Sequence, residues 1–146
     1  MPMPMRILIA DDNQQVVELL EANLDELGAE IKSAADGEAT LKLVQEWKPD
    51  LLLLDIMMPR MSGFEVCKRL RSNAASKNLA ILMVTALDQP VDIERAVEAG
   101  TDDFLTKPIN KTELLLRVRA LVKGKNSKNE LERVLSYVDA VQHHTV

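Results

Sequence analysis

Leu51-Leu52-Leu53-Leu54, continuing as Asp55-Ile56-Met57-Met58-Pro59, is the stretch on which the fold of this 146-residue chain turns. Four successive apolar residues without polar alternation describe a strand covered on both faces, the pattern of a parallel sheet with helices on either side. Ala80-Ile81-Leu82-Met83-Val84 has the same character. The two runs are predicted as central strands, joined through a helix over Gly63–Ser72 that turns Phe64, Cys67 and Leu70 inward.

Outward from this pair the alternation of strand and helix repeats. Arg6–Ala10 reads as a strand, followed by a helix over Gln14–Leu27 with Val16, Val17, Leu20, Leu24 and Leu27 on one face and Gly28 as its stop. Glu30–Ala34 is a weaker strand. Glu38–Glu46 is a helix that has to end by Lys48, because Pro49 disfavours helical geometry in the residue before it. A fourth helix, Pro90–Ala99, opens on a proline whose missing N–H costs nothing there and closes at Gly100. Asp103–Thr106 is the fifth strand. The fifth helix, Lys111–Lys123, turns Leu114, Leu115, Val118, Leu121 and Val122 inward. Five such units predict an α/β fold: a doubly wound, five-stranded parallel sheet of flavodoxin-like order 2-1-3-4-5 with right-handed crossovers. The rival, a fragment of an eightfold α/β barrel, requires ~250 residues for the whole barrel, and this chain is too short.

Residues 5–123 are therefore expected to form one domain. Residues 124–129 read as a polar, basic connector and 130–146 as a C-terminal helix reaching about His143, with Leu131, Val134, Val138 and Val141 recurring at 3, 4 and 3 residues. A stripe this short is marginal alone. It either packs on its own domain or begins a linker to an output domain or partner, and the sequence leaves both open.

Composition narrows the function classes. Lysine and arginine number 18 against 23 aspartates and glutamates, and the aromatics are Trp47, Phe64, Phe104 and Tyr137, so direct nucleic-acid binding is not expected. A lone Cys67 builds neither a disulfide framework nor a zinc cluster. Met1-Pro2-Met3-Pro4-Met5 lacks the basic-then-apolar pattern of a leader, and no apolar run approaches the ~20 residues of a membrane span. The expectation is a cytoplasmic protein without membrane contact. His143-His144 are adjacent and do not share a helical face, so no metal site is expected there.

The chemistry-bearing residues collect at the carboxyl ends of the predicted strands. Asp11 and Asp12 end the first, Asp55 the third and Thr85 the fourth, while Lys107 follows the fifth. In open α/β sheets ligands sit outside those ends, where the strand order reverses. Three converging carboxylates repel one another, so a cation is expected. Lys107 supplies one charge, and oxygen donors without histidine or cysteine favour a hard ion, Mg²⁺ rather than zinc. Metal, ammonium and hydroxyl together suit phosphoryl transfer to an aspartate, as an acyl phosphate. Asp55, on a central strand opposite the acidic pair, is the expected acceptor, with Asp11 and Asp12 on the metal side.

Each residue also has a plainer reading. Asp11, Asp12 and Asn13 are good helix caps, but capping explains one of them and not an acidic pair facing a third carboxylate. Thr85 and Lys107 alone would pass as strand-end residues, Phe104 as a core aromatic, Cys67 as a buried apolar group and Trp47 as packing at a helix end. Met57, Met58 and Met61 read as adaptable filling.

Asp11-Asp12 after a strand, Asp55 to Pro59 with Gly63 eight residues past the aspartate, Thr85-Ala86 and Lys107-Pro108 together resemble the receiver domain of two-component response regulators, over about Arg6 to Lys123. The resemblance implies a phosphorylation-activated switch, with Asp55 phosphorylated by a histidine kinase or a histidine phosphotransfer protein. It implies Mg²⁺ on Asp12, Asp55 and the Met57 backbone carbonyl, with Asp11 reaching the ion through water. Thr85 and Lys107 contact the phosphoryl oxygens, Phe104, three residues before the lysine, is the switch aromatic, and the Lys107-Pro108 bond is cis. The face formed by the fourth helix, fifth strand and fifth helix is the expected output surface; it, or the C-terminal helix, could carry a homodimer. Met57 and Leu87 occupy the two positions that tune phosphate lifetime, and neither side chain can orient water, so self-dephosphorylation is expected to be slow. On this reading the domain is not an enzyme beyond its own phosphorylation and dephosphorylation.

Two other classes compete. An aspartyl-nucleophile phosphohydrolase needs a general acid two residues after its nucleophile, where this chain has Met57. A flavin carrier needs a phosphate-cradling loop after the first strand, where Asp11-Asp12 would repel the phosphate.

Overall fold

The computed structural model describes residues 4–138, with side chains to residue 124. Its strands are β1 (Arg6–Ala10), β2 (Glu30–Ala34), β3 (Leu51–Leu54), β4 (Ala80–Thr85) and β5 (Asp103–Thr106); its helices are α1 (Gln14–Leu24), α2 (Gly37–Trp47), α3 (Gly63–Ser72), α4 (Pro90–Ala99) and α5 (Lys111–Val138). The strands pair in parallel in the order β2-β1-β3-β4-β5, as expected.

The absence of alternation in β3 and β4 follows from two cores, one on each face. Leu8, Leu52, Leu54, Ile81 and Met83 pack with Trp47 of α2, Phe64, Val66 and Leu70 of α3, and Ala96 and Ala99 of α4. Ile7, Ile9, Leu51, Leu53, Leu82 and Val84 pack with Val17, Leu20 and Leu24 of α1 and Leu114, Leu115 and Val118 of α5. All four leucines of β3 are at most 1% exposed, and each such burial contributes about 1.5–3 kcal/mol. Trp47 closes the lower edge, with Arg6 and Lys32 stacked on its ring at 5.6 and 5.1 Å.

The structure departs from expectation at element ends. The helical turn of α1 tightens into a 3₁₀ turn over Asp25–Leu27 before Gly28 (φ 64°) reverses the chain. The second helix ends by Lys48 as expected, Lys48 taking a left-handed conformation (φ 54°) before Pro49, although α2 is one residue longer at each end than the expected Glu38–Glu46. The fourth strand includes Thr85, whose pairing with Thr106 carries the ladder to the rim. The largest difference is α5, whose backbone helix runs on through residues 124–129, where a connector is expected. No proline interrupts that stretch, and a single glycine, Gly124, costs only ~1 kcal/mol in a helix. Residues 1–3 and 139–146, including Val141 and His143-His144, lie outside the described residues, as do the side chains of Leu131, Val134 and Val138. No helix among the described residues is long and apolar enough to cross a membrane.

Candidate functional site

The carboxyl rim of the sheet is built by backbone bonds that continue the ladder one step past the strands. Asp11 N–H donates to Ala34 O (3.0 Å), Asp55 N–H to Ala10 O (2.9 Å) and Lys107 N–H to Thr85 O (2.8 Å). Three side chains from distant parts of the sequence are thus fixed over the central strands. The helix cap is Asn13, whose side chain accepts from Gln15 N–H and Val16 N–H. Capping therefore does not occupy the acidic pair, although Asp11 Oδ1 accepts from Asn13 N–H at 2.9 Å.

Asp11, Asp12 and Asp55 each offer a carboxylate oxygen within 4.8 Å of the other two. Asp11 and Asp55 are buried and Asp12 is exposed. Lys107 Nζ lies 2.8 Å from Asp11 Oδ2 and 3.5 Å from Asp55 Oδ2, and the peptide bond that follows it, Lys107-Pro108, is cis. Thr85 is fully buried beside Asp55, and its Oγ1 accepts from Leu87 N–H at 3.4 Å. Asp55 Oδ1 accepts from Met57 N–H at 3.3 Å. Burial, followed by repulsion from Asp11, raises the Asp55 pKa above its ordinary 3.8, against the opposing pull of Lys107, the Thr85 hydroxyl and the Met57 N–H.

The sequence-predicted residues Asp11, Asp12, Asp55, Thr85 and Lys107 therefore do meet. Three carboxylates facing one ammonium leave a negative excess, and the donors are oxygen only, which fits a hard divalent cation. Phe104 is half-buried, packed against the core that contains Phe64 and Met83. Cys67 is fully buried and its thiol is pushed up to about 11 by desolvation, which leaves it unreactive. Met57 is 59% exposed at the mouth of the site while Met58 is buried. Arg95, stacked on Phe64 with its Cζ 4.2 Å from the ring centroid, belongs to the same region. Only the helical phase of α4 and its packing on α3 bring it there, so its sequence position gives no signal.

A family model described as the response regulator receiver domain matches residues 7–119. The DNA-binding dual master transcriptional regulator RpaA of Synechocystis sp. is 42% identical over 118 residues, covering 81% of this chain and 49% of RpaA. The alkaline phosphatase synthesis transcriptional regulatory protein PhoP of Bacillus subtilis is also 42% identical over 118 residues, covering 81% of this chain and 48% of PhoP. The CheY-like response regulator receiver domain protein of Methanospirillum hungatei superposes with a TM-score of 0.80 at 25% identity, covering 86% of this chain and 99% of that one. The chain spans about half the length of the curated relatives it matches. Because RpaA is a DNA-binding regulator, the expectation of no direct nucleic-acid contact finds no support among these relatives.

Proposed function

The chain belongs to the receiver-domain family of response regulators, and from that premise we propose that Asp55 is its phospho-acceptor. The observation that carries this reading is Lys107 Nζ set between Asp11 and Asp55 at the rim. An Asp55 carboxylate oxygen attacks the phosphorus of a phosphohistidine, the new O–P bond forming as the P–N bond breaks and the imidazole departs with the electron pair. Lys107, tethered by Asp11, faces the equatorial oxygens, and the Thr85 hydroxyl lies at the same rim to meet the product. The Met57 N–H holds the nucleophile's orientation through its bond to Oδ1. Asp11, Asp12, Asp55 and the Met57 carbonyl are the groups we assign to Mg²⁺; when bound, the ion neutralises the oxygens of the transferring group.

Thr85 and Phe104 are the proposed switch pair, acting on the face of α4, β5 and α5, where exposed Ile93 and Val97 offer apolar area for a partner or a second copy. The proposed donor is a histidine kinase or a histidine phosphotransfer protein, in the cytoplasm. Residues 5–123 are read as the receiver unit and 124–146 as an extension from it. The chemistry is limited to the domain's own phosphorylation and slow dephosphorylation. The phosphohydrolase reading is not favoured, since the exposed Met57 thioether has no proton to give. Intact-mass measurement after incubation with acetyl phosphate and Mg²⁺ tests the proposal: one labile phosphoryl adduct on the native chain, absent in Asp55→Asn.

A further inference from the structure

A groove of about 500 Å³ opens beside the rim, lined by Asp12, Met57, Phe64, Leu87 and Arg95 among others. Arg95 is the only cation in that lining, and among the described residues its guanidinium has a single contact, the face of Phe64 at 4.2 Å. Phe64 is 4% exposed, so the platform is fixed while the five N–H donors of the guanidinium remain unspent. A helical side chain leans back over the preceding turn, which for Arg95 is the end of α4 nearest the rim. Lys107, by contrast, is held between two carboxylates. Any phosphoryl donor is an anion, and its path to Asp55 meets Asp12 on the way, so an unpaired cation on that path lowers the electrostatic cost of approach.

We propose that Arg95 is a steering residue that draws anionic phosphoryl donors through this groove to Asp55. The inference rests on the reading of Asp55 as acceptor. With acetyl phosphate, the bond from Asp55 oxygen to phosphorus forms as the bond from phosphorus to the acetyl oxygen breaks, and acetate leaves with the electron pair. Arg95 takes no part in that exchange and acts only on the encounter.

The test measures the second-order rate of phosphorylation of the full chain, with saturating Mg²⁺, by two donors of different charge: acetyl phosphate, a dianion at neutral pH, and phosphoramidate, which carries less negative charge. Arg95→Gln is expected to slow acetyl phosphate roughly threefold to tenfold at low ionic strength. The loss is smaller for phosphoramidate and shrinks toward nothing in high salt, and Arg95→Lys restores most of the rate. Equal rates for Arg95→Gln and the native chain, or an equal loss with both donors at every salt concentration, would overturn the inference. A native chain that takes up no phosphoryl group overturns the acceptor assignment and this proposal together; a native chain that labels, with an indifferent Arg95→Gln, overturns this proposal alone.

Discussion

Lys107 Nζ stands 2.8 Å from Asp11 Oδ2, across 96 positions of sequence, and this ion pair holds the ammonium over Asp55. Asp11 is almost wholly buried and the Lys107 side chain is 20% exposed. Replacing Lys107 with methionine leaves two buried carboxylates without their cation. Breaking fully buried pairs costs about 3–5 kcal/mol, and the partial exposure of Lys107 lowers the expected loss to on the order of 2 kcal/mol. Urea unfolding at neutral pH without divalent cations checks it.

Asp55→Asn has the opposite sign. Burial and Asp11 raise the Asp55 pKa above 3.8, so the folded state binds this proton more tightly than the unfolded chain does. Ionised Asp55 therefore costs stability above its folded pKa, and that cost is relieved as pH falls through the folded pKa toward 3.8. Asp55→Asn is expected to melt at a higher temperature than the native chain at pH 7 without Mg²⁺. The advantage should narrow as the pH is lowered into the acid range, and added Mg²⁺ should raise the melting temperature of the native chain more than that of the variant. A gain independent of pH would show that charge is not its source.

Gly63 and Gly124 give a contrasting pair. A Cβ at Gly63 would sit 2.8 Å from Ile56 Cα and closer still to the Asp55 backbone carbonyl, where no side chain can move aside. Gly63→Ala should cost about 1–3 kcal/mol and slow phosphorylation by displacing the loop after β3. At Gly124 nothing lies within 4 Å. Gly124 lies within α5, so Gly124→Ala adds up to about 1 kcal/mol of helix propensity, read as increased far-ultraviolet helicity and thermal stability.

On the proposed reading, Met57 sets the lifetime of the phosphorylated product. Its side chain is exposed at the mouth and carries no group to orient water, so Met57→Asn should hasten acyl-phosphate decay severalfold. Measured by loss of the phosphoryl adduct over time, an unchanged or slower decay would contradict the assignment.

Much of this architecture is legible in the sequence because its signals are local. Leu51–Leu54, too short for a helix and set just after Pro49, reads as a doubly covered strand, and Pro49, Pro90, Gly28 and Gly100 mark where helices start or stop. The convergence of Asp11 and Asp55 follows from strand order, since β1 and β3 are neighbours and their ends share a rim; Lys107 follows β5, two strands from β3, and meets the two carboxylates through its long side chain. What escaped depends on context. Residues 124–129 are polar in composition, yet polarity alone does not break a helix that packing upstream has nucleated. Asn13 and the acid pair are equally good caps by residue type, and only geometry assigns the cap to Asn13. Arg95 reaches Phe64 across two helices, a contact no sequence spacing encodes.

Borohydride reduction of the phosphorylated chain, followed by peptide sequencing, tests the central claim most directly, because it converts an aspartyl phosphate to homoserine at the residue that carried it. The account predicts homoserine at position 55 and at no other aspartate. Homoserine at Asp11 or Asp12 with Asp55 intact, or a phosphoryl label that survives reduction on a hydroxyl side chain, would contradict it.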